Sequence, residues 1–132
     1  MRTNRYLIIA AIAAAVTLGG TAKAEIFVAG PAYAGVNQHT GWVRCLLFNA
    51  GKNVVVISNR EIYHGFKGLL VEAGNNCTSA LQPGKSCDYY VRGSTGTFTC
   101  RVVTTDSTDR LSGTLQFDDA NGEPLLSIPL SR

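Results

Sequence analysis

Four cysteines, two histidines and nine carboxylates are the side chains with the widest chemical scope in this sequence. Cys45, Cys77, Cys87 and Cys100 include no Cys-x-x-Cys pair, and His39 and His64 lie far from them in sequence. Neither zinc ligation nor dithiol redox chemistry uses such spacing, so no metal and no cofactor is expected. Hydrolysis would need a nucleophile held beside a base. Serines are plentiful, but none stands in a Gly-x-Ser-x-Gly elbow; Gly93-Ser94-Thr95-Gly96 is the nearest imitation and reads as a hairpin loop. His64, in Tyr63-His64-Gly65, reads as a polar surface residue at a strand end, and His39 reads the same way. No catalytic residue is assigned, and the chain is expected not to be an enzyme. Carboxylates crowd Asp118-Asp119-Ala120-Asn121-Gly122-Glu123. Calcium favours such oxygens, but the spacing departs from an Asp-x-Asp-x-Asp-Gly loop. A solvated hairpin turn is the expectation there, with a weak calcium site as the alternative.

The remaining candidate chemistry is recognition. Trp42 and Arg44 alternate with Val43 and Cys45, and Tyr90 and Arg92 alternate with Tyr89 and Val91. Tyr, Trp and Arg are the residues that dominate binding hot spots, so these four form a possible binding surface. The plainer alternative is that they cover a sheet face or edge.

Strands must position them. Residues 42–48 are strand-like, with Val43, Cys45 and Leu47 on one face and Arg44 on the other. Residues 86–92 put Cys87, Tyr89 and Val91 together, and residues 97–104 put Phe98, Cys100 and Val102 together. Residues 111–118 alternate Leu111, Gly113, Leu115 and Phe117 against polar partners. Short strands are also expected at 54–57, 68–72 and 125–130, and Pro129 marks an edge. Asn49 to Asn53 and Asn121-Gly122 read as turns, and residues 30–40 as a loose loop after an edge strand carrying Ile26 and Val28. About seven short strands at this spacing predict an all-β antiparallel sandwich.

The first 24 residues read as a cleaved signal peptide: Arg2 and Arg5, an apolar run from Tyr6 to Leu18, then Ala22-Lys23-Ala24 before Glu25. Cleavage between Ala24 and Glu25 would leave 25–132 as a single domain without an integral membrane span. The formal net charge of +3 comes from Arg2, Arg5 and Lys23; without them the bases balance the 9 acids. The other Lys and Arg are scattered singly, so nucleic acid is not an expected partner. A periplasmic or secreted location follows, where four cysteines can form two disulfides.

Three pairings are possible. Cys45–Cys100 and Cys77–Cys87 are favoured, because Cys45 and Cys100 each sit on an apolar strand face and the second pair closes a loop over Pro83-Gly84. The segment Cys77…Leu81-Gln82-Pro83-Gly84-Lys85-Ser86-Cys87 resembles the Cys…Leu-x-Pro-Gly-x-Ser-Cys segment of bacterial exported immunoglobulin-like domains. The likeness extends over about 41–104 and implies an immunoglobulin-like sandwich, while that fold implies no activity. The expected function is a non-enzymatic binding or structural module whose partner is a protein or a cell-envelope component. The alternatives are a secreted hydrolase inhibitor presenting residues 80–85, or a pilus-like subunit that uses Ile26 and Val28.

Overall fold

The computed structural model describes residues 23–35, 40–105 and 110–132, and over those residues the structure is all-β. Residues 1–22, where most of the expected signal peptide falls, and His39, Asp106 and Asp109 lie outside them. Lys23 and Ala24 are exposed and precede the first strand, which opens at Glu25. The strands are β1 (Glu25–Ala34), β2 (Thr40–Asn49), β3 (Val55–His64), β4 (Gly68–Leu69), β5 (Gly74–Asn75), β6 (Ala80–Leu81), β7 (Ser86–Arg92), β8 (Gly96–Thr104), β9 (Leu111–Asp119) and β10 (Pro124–Pro129). No helix among the described residues is long and apolar enough to cross a membrane.

Two antiparallel sheets pack on each other. The first has the order β1-β8-β3-β4, with β6 also paired to β3; the second has the order β10-β9-β2-β7-β5. Strand alternation explains the packing, since one face of each strand is apolar. Val43, Cys45, Leu47, Tyr89, Val91, Leu115 and Phe117 of the second sheet meet Phe98, Cys100, Val102 and Ile62 of the first. The Phe98 and Phe117 rings meet edge to face at 5.8 Å. Cys45 on β2 and Cys100 on β8, both fully buried, are bonded across the core with 6.0 Å between their Cα atoms. The buried Tyr89 donates its hydroxyl to the Arg101 carbonyl at 3.2 Å, a second tie between the sheets.

Two strands are longer than their sequence pattern indicates. Residues 30–34 belong to β1 rather than to a loop. The register shifts between Ala29 and Ala32, so the inward set changes parity from Phe27 and Ala29 to Ala32 and Ala34. Gly30 is required at this bulge: its φ is +103°, and a Cβ there would lie 2.6 Å from the Phe98 carbonyl oxygen. Before the bulge, Ile26 and Val28 alternate with the buried Phe27 and Ala29 and face outward. A second shift between Ile57 and Asn59 turns β3 from Val55 and Ile57 to Ile62 and His64, and carries it to residue 64 rather than 57.

Asn49 is not a solvated turn residue. It is 1% exposed, and its amide donates to the Asn53 and Leu81 carbonyls at 2.8 and 2.9 Å while its Oδ1 accepts the Gly51 N–H at 2.9 Å. Its backbone receives the Gly84 N–H and donates to the Lys85 carbonyl. One buried amide thus joins the loop after β2 to the loop before β7. Beside it, Cys77 and Cys87 are bonded with 4.8 Å between Cα atoms.

Candidate functional site

Strands β2 and β7 are direct neighbours, with Trp42 opposite Arg92 and Arg44 opposite Tyr90. Their partners in the alternation, Val43, Cys45, Tyr89 and Val91, fill the core. The four recognition candidates therefore share the outer face of the second sheet, and they touch one another. The Trp42 and Tyr90 rings meet edge to face at 5.4 Å. The Arg92 guanidinium lies 5.2 Å from the centre of the Trp42 ring, and that of Arg44 lies 5.3 Å from the Tyr90 ring. Cation–aromatic contacts of this kind contribute about 0.5–1 kcal/mol where solvent reaches them. Gly74 on β5 leaves room for the Tyr90 hydroxyl.

Arg44 is the fixed point of this face. Its Nη1 donates to Asp88 Oδ2 at 2.7 Å and its Nε to Asp118 Oδ2 at 3.0 Å. Asp118 is 1% exposed although it stands on the outer face, and Gln116 donates to its other oxygen at 2.5 Å. Charge-assisted bonds on both sides hold the guanidinium more firmly than neutral ones would. Arg92 is exposed and has no carboxylate within ion-pair distance among the described residues. An open recess of about 490 Å³ lies at this end of the face. Trp42, Arg44, Asp88 and Tyr90 line it, together with Asn76 and the turn from Ala120 to Gly122.

Asn76 was not singled out by residue type. It accepts the Asp88 N–H on Oδ1 at 2.7 Å and donates its own N–H to the Asp88 carbonyl at 2.9 Å. Its neighbour Cys77 is bridged to Cys87, which brings it beside Asp88. The carboxylates of 118–123 divide between separate tasks. Asp118 binds Arg44, whereas Asp119 Oδ1 accepts the N–H groups of Asn121 at 2.7 Å and Glu123 at 2.9 Å. The Glu123 amide first, and then that of Asn121, hold the Asp119 carboxyl below its ordinary range. Among the described residues no three His, Cys, Asp or Glu side chains gather as a metal-binding set.

His64 is a correction to the sequence reading: it is 3% exposed, not a surface residue. Its Nε2 lies 3.1 Å from the Thr95 carbonyl and its Nδ1 accepts the Phe66 N–H at 3.1 Å, which assigns the hydrogen to Nε2. The ring also meets Phe98 edge to face at 4.9 Å. Nδ1 holds the β3–β4 turn and Nε2 ties it to the β7–β8 connection, and no serine hydroxyl is among their partners. The segment Gly93-Ser94-Thr95-Gly96 is not the expected hairpin loop: it crosses from β7 in the second sheet to β8 in the first, and the two strands do not pair. At the molecule's other edge, Val28 exchanges both backbone hydrogen bonds with Ser131 at 2.8 Å, which occupies β1 at the point where an added strand would pair. No family model, curated protein or solved structure matches the chain.

Proposed function

We propose that this chain is an exported, non-enzymatic, immunoglobulin-like module that binds a protein or a cell-envelope component through the outer face of its second sheet. The observation that carries the reading is the convergence of Trp42, Arg44, Tyr90 and Arg92, two from each of two strands, on one partly exposed face. Aromatic rings held against each other and, for Tyr90, against the fixed Arg44 lose little side-chain entropy on binding. The two disulfides are consistent with the oxidising compartment that the leader implies. The sheet-to-sheet bridge and the Cys77 to Cys87 segment support the immunoglobulin-like assignment, and the first module reading needs neither nucleophile nor metal.

The test is retention of envelope components on immobilised protein recovered after export. Replacing Trp42 and Arg92 together by Ala is expected to weaken retention by about 30-fold or more, the effect of losing about 2 kcal/mol at a hot spot. Equal retention by the variant, or substrate turnover by the unmodified protein, would overturn the reading.

One observation favours a second reading, a hydrolase inhibitor. Residues 82–86 are exposed, yet their ends are tied by the Cys77–Cys87 bridge and by Asn49. A rigid projecting loop is what a canonical inhibitor presents to an enzyme cleft. Inhibition of a hydrolase that is lost on replacing Gln82 and Lys85 would move the function to that loop.

A further inference from the structure

Taking the outer face of the second sheet as the binding face, we infer that the recess beside Trp42 and Tyr90 is a subsite for a neutral saccharide. The argument begins with charge. Arg44 is already paired with Asp88 and Asp118, and Arg92, over the Trp42 ring, supplies a second cation, so the face carries two charges of each sign. An anionic ligand would compete with Asp88 for Arg44, and a cationic one would have to displace Arg44 from Asp88. The site therefore favours a ligand with no net charge.

Polarity narrows the class further. Asn76, Asp88, Arg44 and Asn121 place planar polar groups around the recess. Covering them with an apolar molecule would strip their water and return no hydrogen bonds. Asp88 Oδ2 is used by Arg44, but Oδ1 has no partner among the described residues; nor has the amide nitrogen of Asn76. The recess thus offers one free acceptor and one free donor on residues that are already bonded to each other through the backbone. A hydroxyl, which donates and accepts at once, fits that pair; a carboxylate or an ammonium group does not. Trp42 and Tyr90 line the recess, and because a guanidinium already covers one face of each ring, the C–H side of a pyranose would pack on an opposite face while its hydroxyl rim meets the polar groups. The volume of about 490 Å³ lies within the range of small-ligand sites.

Trp42 is the single tryptophan of the chain, so intrinsic emission reports directly on this site. Protein recovered after export is titrated with maltose, cellobiose and N,N′-diacetylchitobiose, and with sulfate and ethylammonium as charged probes. The expected result is a saturable emission change with at least one disaccharide, weakened about tenfold by Asn76→Ala and by Tyr90→Ala, and absent with both ions. Circular dichroism and the unfolding midpoint establish that each variant is folded, and Asn121→Ala provides a milder third variant. A response to sulfate or ethylammonium without one to any disaccharide overturns the inference. If all probes are silent while envelope retention still depends on Trp42 and Arg92, the saccharide assignment fails and the binding face stands. If retention is also independent of those residues, both fail.

Discussion

Single residues carry disproportionate weight because several polar groups are buried. Arg44 neutralises Asp118, which lies 1% exposed and keeps only Gln116 when the guanidinium is removed. Arg44→Ala is therefore expected to lower stability by about 3 kcal/mol, and Arg44→Ala with Asp118→Ala by less than the sum of the two single losses. Urea unfolding of the four members of that cycle checks the coupling. His64→Phe keeps an aromatic ring against Phe98 but strips the Phe66 N–H and the Thr95 carbonyl of their partner. About 2 kcal/mol should be lost, read from the same denaturation midpoint. Phe66→Ser, by contrast, alters a side chain that is 92% exposed and retains the backbone bond to His64, so its midpoint should move by no more than about 0.5 kcal/mol. These roles were hidden in the sequence for one reason. A buried His or Asn is recognisable only through the backbone groups that satisfy it, and those of His64 and Asn49 come from residues up to 32 positions away (Asn49 with Leu81, for example).

At the level of elements, legibility followed the regularity of the two-residue period. β7 and β8 keep their alternation unbroken, β2 keeps it from Trp42 onward and β9 from Leu111 to Phe117, so their inward faces can be read directly from residue type. β1 and β3 each contain a register shift that exchanges inward and outward sets. The residues that allow those shifts, Gly30-Pro31 and Ser58-Asn59, are also the commonest markers of loops. The pattern therefore ended early in both strands, although the backbone continued. Residue types named the four recognition candidates and pairing of β2 with β7 gathered them, whereas Asn76 required the Cys77–Cys87 bridge to come into view. That bridge closes a short loop and the Cys45–Cys100 bridge a long one, with sequence separations of 10 and 55. In the chain-entropy picture they contribute about 3 and about 4 kcal/mol. Replacing Cys45 and Cys100 by Ser should lower the melting temperature more than replacing Cys77 and Cys87, and only the second change should disturb binding that depends on Asn76.

For the whole molecule, ionisation sets the limits of stability. The Arg101 guanidinium holds Glu61 below its ordinary range, as backbone amides hold Asp119. Both carboxyls are depressed in the folded state, so their stabilisation is present above the ordinary carboxylate value and is lost as pH falls through the folded value. Burial pushes the Tyr89 phenol well above 10. Its contribution is complete below the ordinary phenol value and is lost as pH rises through the folded one. The unfolding midpoint should hold steady from about pH 5 to 9, then fall on both sides. Tyr89→Phe should flatten the alkaline limb at a cost of about 1 kcal/mol at neutral pH, and Asp119→Asn should flatten the acid limb.

As proposed, this molecule works through the outer face of its second sheet. Backbone amide resonances, followed while the bound envelope component is added, test it most directly. The account predicts shifts concentrated in β2 from Gly41 to Arg44, in β7 from Asp88 to Arg92, and at Asn76 and Asn121. Shifts confined to residues 82–86, or to residues 66–71 around β4, would contradict it.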